Sequence, residues 1–239
     1  MATYAVSDLH GCLKFYKVIK DFIQPEDKVY FLGDAGDRGP QPWETIKAIA
    51  GDSQFVYIKG NHEDMLVDAM EEHIEGRSGY ATHLLGSNGG YGTLEEWAAD
   101  GAKESWITWL KKLPTHMEYI RPDGKKVLLS HAGYTPSPDG SLPWGDDLIW
   151  SRDHFYEAWD EELPDTYIVH GHTPTPLMDR YIYDLKPEDV DKAGALVYCD
   201  GHKFDIDNGA VFTGFCTLFN LDTFESIVFN GGVDAIGVD

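Results

Sequence analysis

Residues 28–43 read KVYFLGDAGDRGPQPW. An apolar run, Lys28 to Leu32, stops at Gly33 and gives way at once to Asp34, Asp37 and Arg38. Pro40 and Pro42 then open a helix candidate carrying Trp43, Ile46 and Ile49 at helical spacing. The same arrangement precedes it. Thr3 to Val6 runs into Ser7-Asp8-Leu9-His10-Gly11, followed by Cys12, Phe15, Tyr16, Ile19, Phe22 and Ile23 at helical intervals and a stop near Pro25. It also follows, because Phe55 to Ile58 leads into Gly60-Asn61-His62-Glu63. Two more strand candidates end in histidines: Val127 to Ser130 before His131-Ala132-Gly133, and Tyr167 to Val169 before His170-Gly171-His172. Strand–tip–helix repeats predict parallel strands with right-handed crossovers. The carboxyl ends of such strands share one edge of a sheet, where ligands bind. Five tips are therefore expected to converge on one site.

Between the third and fourth tips the pattern changes to a helical insert, about residues 64–115. Asp64 to Ile74, Thr93 to Ala99 and Lys103 to Leu113 read as helices, with Gly-rich loops around Gly86 to Gly92. Strands resume near Met117, and Arg121-Pro122-Asp123-Gly124 reads as a turn. Tyr134 to Asp147 is a long loop rich in Pro, Gly and Asp beside the His131 tip. From Tyr181 onward the chain is β-rich: Tyr181 to Tyr183, Ala195 to Tyr198, Val211 to Thr213, Phe215 to Phe219 and Ser226 to Phe229. With no linker, repeat or low-complexity tract, residues 1–239 are expected to form one α/β domain.

A composition of 42% hydrophobic and 13% aromatic residues suits a substantial core. The formal net charge of -22 argues against nucleic acid and anionic membrane surfaces as partners, since both are bound through cationic contacts. An anionic substrate still fits if bound cations reverse the local field. Three cysteines without paired spacing, no apolar run of membrane-spanning length, and no room for a secretory signal before Thr3 lead us to expect a cytoplasmic protein.

The tips carry the donor types of a two-metal hydrolytic site: carboxylates and imidazoles, which suit Mn, Fe or Zn. Asp8 and His10 stand two apart in an extended tip, so both can face one ion. Asp34 is a candidate bridge, and Asn61, His131 and His172 would complete a second shell.

These residues resemble the calcineurin-like metallophosphoesterases, and within them the bacterial and bacteriophage lambda-type serine/threonine protein phosphatases. The family pattern GDxHG, GDxxDRG, GNHE, HGG or HAG, and GH appears in order at Ser7–Gly11, 33–39, 60–63, 131–133 and 171–172. Trp150-Ser151-Arg152-Asp153 and the segment from Asp207 to Gly214 match the subgroup, so the resemblance covers about residues 3–220. It implies a β-sandwich of two mixed sheets flanked by helices. It further implies one ion on Asp8, His10 and Asp34, and another on Asp34, Asn61, His131 and His172, with Mn the expected metal. His62 would be the general acid oriented by Asp37, with Arg38 and Arg152 holding the phosphoryl oxygens. Asn61 and His62 would also face the substrate, which a metal-bound hydroxide would attack directly. The sequence departs from the pattern at Ser7, Ala132 and Asn208, none of them a ligand position.

Singly, each motif has a plainer reading. Asp-x-His can be a turn, and Asn61 a helix cap. All five plain readings holding together in family order is not credible. His170 competes with His172 as a ligand, and the motif favours His172. His73, His83, His116, His154 and His202 match no motif and read as surface or packing residues, and Cys12 as a packed helix residue. The activity expected first is that of a metal-dependent phosphomonoesterase, a serine/threonine protein phosphatase, with a phosphoprotein or small phosphorylated molecule as substrate. The alternatives are a symmetrical bis(5'-nucleosyl)-tetraphosphatase acting on diadenosine tetraphosphate, and a non-catalytic binding module on the same fold.

Overall fold

A computed structural model describes residues 1–143, 145–180 and 194–231. The expected strand at Tyr181 to Tyr183 lies outside them. Thr3–Val6 (β1), Lys28–Phe31 (β2) and Phe55–Tyr57 (β3) pair in parallel, with Leu13–Phe22 (α1) and Pro42–Ala50 (α2) as the crossovers. Four helices follow: Asn61–Ile74 (α3), Tyr80–Ser87 (α4), Tyr91–Ala99 (α5) and Glu104–Lys111 (α6). The remaining strands are His116–Ile120 (β4), Lys126–Ser130 (β5), Thr166–His170 (β6), Leu196–Tyr198 (β7), Lys203–Asp205 (β8), Phe215–Asn220 (β9) and Glu225–Asn230 (β10). They complete two five-stranded mixed sheets, ordered β10-β9-β1-β2-β3 and β4-β5-β6-β8-β7.

The apolar runs before each tip are continuous because both faces of these strands are covered. In β1, Ala5 turns into the layer between the sheets with Leu32, Ile58, Val127, Leu129, Val169 and Phe219. Its neighbours Tyr4 and Val6 turn out toward Phe15, Ile19, Trp43 and Ile46 of the helices. Leu128 and Ile168 face the other way, under Tyr134, Leu148 and Ile149. The sandwich therefore clamps the inner strands from both sides, and their parallel ends meet at one edge.

The structure differs from the sequence reading in three places. Only Gly-rich loops around Gly86 to Gly92 were expected between the helices at Asp64 to Ile74 and Thr93 to Ala99, yet Tyr80–Ser87 is a helix. Val211 to Thr213, with its β-branched and aromatic side chains, was expected to be a strand. Instead Ala210–Thr213 is one helical turn between Gly209 and Gly214, both left-handed at φ 66° and 73°. Lys203–Asp205 is a strand that had not been expected. His154, expected at the surface or in packing, is a packing residue: it is buried, and its Nε2 donates to the Ala132 carbonyl at 2.8 Å.

Helix α4 depends on a partner outside itself. The Glu72 carboxylate accepts the Gly79, Ala81 and Thr82 amides at 2.8, 3.3 and 2.9 Å and the Thr82 hydroxyl at 2.7 Å. The Thr82 bonds, above all, hold its pKa down at about 2 against the usual 4.5. A depressed carboxylate contributes stability that is present above its unfolded pKa and is lost as pH falls through the folded one. Thermal stability is therefore expected to drop between about pH 4.5 and 2 partly through Glu72. In Glu72→Gln that share of the acid dependence disappears, which melting curves across the window read directly.

Candidate metal centre

The tips meet across the two sheets. His131, just past β5, donates from Nδ1 to the Leu32 carbonyl past β2 at 2.7 Å. Beyond β6, the His172 amide donates to Asp8 Oδ2 past β1 at 3.0 Å. Gly33 and Gly60 lie so close that a Cβ on Gly33 would stand 2.5 Å from the Gly60 nitrogen. Small residues are thus required where the second and third tips cross.

Backbone strain collects at the same place. Among the described residues ten non-glycine residues have positive φ, and six of them are Asp8, His10, Asp34, Asp37, Arg38 and His172. Each such residue costs about 1–3 kcal/mol and persists only where surrounding contacts over-determine it. Glu63 supplies such contacts around Asp34. Its buried carboxylate accepts the Asp34, Ala35 and Gly60 amides at 2.8, 2.9 and 2.9 Å and the Tyr57 hydroxyl at 2.8 Å. Glu63 stands in a quoted motif, yet its role is not legible there, because the Asp34 and Ala35 amides it accepts belong to another tip.

The imidazoles show what the centre is built to hold. A carbonyl can only accept, so each ring nitrogen on a carbonyl carries the proton and leaves the other to face inward. His10 Nδ1 donates to Gly36 O at 2.9 Å, His131 Nδ1 to Leu32 O, and His172 Nε2 to Trp150 O at 3.2 Å. The inward nitrogens converge. His10 Nε2 and His131 Nε2 lie 3.6 and 3.4 Å from Asp34 Oδ2. Asn61 Oδ1 sits 2.8 Å from His131 Nε2 and 3.0 Å from His172 Nδ1, and those two nitrogens are 3.2 Å apart. Asn61 opens α3 without capping it; Gly60 is the cap residue, and the Asn61 side chain turns to the histidines.

Two buried triads have ligand atoms close enough to share an ion, His10–Asp34–His62 and Asp8–Asp34–His131, with Asp34 common to both. Burial works against an imidazolium at His131, but the Asp34 and Asp8 charges outweigh it and raise its pKa to about 10. Behind Asp8 the buried Asp205 and Asp207 are pushed well above the carboxylate range, by burial first and then by neighbouring acids. So much negative potential around inward-facing nitrogens fits divalent cations. His170 does not compete as a ligand, because its nitrogens bond Gly171 O at 3.0 Å and the Tyr198 hydroxyl at 2.7 Å.

His62 is held differently. Its Nδ1 meets the Asp37 carboxylate at 2.5 Å rather than a carbonyl. Burial opposes its charged form, yet Asp34 and the Asp37 bond prevail and raise its pKa above 6.5. Asp37 is itself fixed by Thr93 of the insert, whose Oγ1 accepts the Asp37 amide at 3.0 Å and donates to its carboxylate. That contact was beyond the sequence reading. Arg38 reaches His10 Nε2 at 2.5 Å and His62 Nε2 at 2.8 Å, and its backbone amide donates to Gly89 at 2.9 Å. Arg152 lies beside the last tip, with Nε donating to Thr173 Oγ1 at 3.0 Å. Ser7, one of the departures from the motif, donates from its hydroxyl to Asp8 Oδ2, a bond glycine could not make.

A two-sheet sandwich with two buried carboxylate–imidazole clusters sharing one aspartate defines a dinuclear metal-dependent hydrolase of phosphoric esters. The family model for calcineurin-like phosphoesterases matches residues 1–236, and the chain belongs to that family. It is 32% identical over 160 residues to serine/threonine-protein phosphatase 2 of Salmonella typhimurium, covering 63% of this chain and 67% of that one. It is 25% identical over 205 residues to the symmetrical bis(5'-nucleosyl)-tetraphosphatase of Aliivibrio salmonicida, covering 72% and 66%. With the enzyme of that name from Paracidovorax citrulli identity is 33% over 141 residues, but the match spans only 46% of the relative's length. Among solved structures, a candidate diadenosine tetraphosphatase superposes with a TM-score of 0.62 at 17% identity, covering 97% of this chain and 94% of the other. A serine/threonine phosphatase from Saccharomyces cerevisiae does so at 0.55 and 15%, covering 96% and 79%. These superpositions show the fold. No helix among the described residues is long and apolar enough to cross a membrane.

Proposed function

We propose that the chain, acting as one catalytic domain, hydrolyses dinucleoside tetraphosphates symmetrically to two nucleoside diphosphates. The observation that carries this choice is the extent of the likeness to symmetrical tetraphosphatases, which reaches 205 residues and 72% of the chain. The sequence motifs favour a protein phosphatase. That remains the second reading, supported by 32% identity to the Salmonella phosphatase. In either case Asp8, His10 and Asp34 would hold one ion, and Asp34, Asn61, His131 and His172 the other. Manganese is proposed, with iron or zinc suiting the same donors. When bound, the ions supply Lewis acidity and an acidified nucleophile.

The remaining work falls to side chains already in place. Arg38 and Arg152 hold the phosphoryl oxygens, a task for which the planar guanidinium fork is shaped. His62, oriented by Asp37, would give an Nε2 proton to the leaving oxygen once Arg38 turns from that nitrogen to the phosphoryl oxygens. Asn61 and His62 face the substrate from the first turn of α3, whose amide at His62 already donates to Asp34 Oδ1 at 3.0 Å. Initial rates with added manganese on diadenosine tetraphosphate, a phosphoserine peptide and p-nitrophenyl phosphate test the proposal. The dinucleotide is expected to be preferred by orders of magnitude. A phosphopeptide preference of that size would replace it with the second reading.

A further inference from the structure

Two large aromatic side chains stand exposed beside the metal centre, each linked to it through one residue. Phe212 is 64% exposed, although Ala210 and Val211 in the same turn are 2% and 8% exposed. The turn is held firmly in that pose. Asp207 Oδ1 accepts the Gly209 amide at 2.7 Å, and the Thr213 hydroxyl donates to Asn208 O at 2.8 Å. The Asn208 amide group is itself tied to Thr175 Oγ1 and Gly194 O at 3.0 and 2.9 Å. The Phe212 ring centre lies 5.7 Å from the Arg38 guanidinium carbon. Arg38 in turn contacts His10 and His62, so this ring belongs to the first cluster's side. Trp150 is 37% exposed, and its ring stands 6.4 Å from that of His172, edge-on. Its own carbonyl orients His172, which meets Asn61 and His131. Trp150 thus belongs to the second cluster's side.

We propose that Phe212 and Trp150 are the stacking surfaces for the two bases of a dinucleoside tetraphosphate, Phe212 on the Arg38 side of the site and Trp150 on the His172 side. This rests on the reading of the substrate above. A molecule with a planar base at each end of a polyanionic chain, cleaved at its midpoint, calls for an aromatic surface on either side of the reacting phosphorus. A phosphoserine peptide has no such pair of planar ends. Stacking on phenyl and indole faces is tolerant of base identity, so guanine and adenine dinucleotides both fit.

The test uses Phe212→Ala, Phe212→Tyr, Trp150→Ala and Trp150→Phe in the full-length protein. For each alanine variant KM for diadenosine tetraphosphate is expected to rise about tenfold, the usual cost of losing one stacked base. Turnover of p-nitrophenyl phosphate, which has no base, should fall far less, and the aromatic replacements should restore dinucleotide KM. Calorimetric titration with ADP should show the same weakening without turnover. Equal losses on both substrates, or a dinucleotide KM indifferent to both alanines, would overturn the placement while leaving the substrate reading standing. A wild-type protein inert toward the dinucleotide would overturn the substrate reading, and this placement with it.

Discussion

Asp34→Asn is expected to abolish the paired ions and take turnover down by about 10³ or more, roughly 4 kcal/mol at 1.36 kcal/mol per decade. No other residue is common to both clusters. Its Oδ2 lies 3.6, 3.9 and 3.4 Å from the facing nitrogens of His10, His62 and His131. Burial alone would raise its pKa, but the surrounding histidines, His131 and His62 foremost, hold it well below the carboxylate range. Asparagine keeps the shape and the Oδ1 that accepts the His62 amide, so the tip is expected to fold as before. What it removes is the charge and the second oxygen that two ions would share. Metal analysis of the purified variant and titration with manganese check this. Two ions per chain at unaltered affinity would sink the bridging role.

His62→Asn is expected to lower kcat by about 10² to 10⁴, the usual contribution of a positioned general acid, while both ions stay bound. The loss should depend on the leaving group, falling hardest on alkyl phosphates and least on p-nitrophenyl phosphate, whose leaving oxygen needs little protonation. The pH profile adds a second reading. Burial disfavours a charged His62, Asp34 and Asp37 reverse this, and the Asp37 bond remains when ions neutralise Asp34. A raised pKa keeps the acid form present beyond pH 6.5, and rate should fall on the alkaline side as that proton is lost. The asparagine variant should lack this limb. An unchanged kcat, or equal losses for good and poor leaving groups, would exclude His62 as the acid.

The five tips were readable because apolar runs, glycine stops and ligand types are all local to a few residues. The insert was harder. Helix α4 sits among Gly79, Gly86, Gly89 and Gly90, and its local composition argues for a loop. It forms because Glu72, in another helix, takes its free amides. Val211 to Thr213 failed for the opposite reason: β-propensity is strong, but left-handed glycines on both sides leave room for one helical turn only.

The sequence by itself determined the order of the candidate donors along the chain and the strand ends that carry them, because spacing and residue chemistry are written in a single dimension. Tertiary structure alone decided which nitrogen of each histidine faces inward, since that choice rests on carbonyls of Gly36, Leu32 and Trp150 brought in by other tips. It also decided that Thr93 of the insert fixes Asp37 and that Glu63 ties the second tip to the third. Contacts between distant segments are set when two sheets close on a shared core, and no local pattern encodes where they meet.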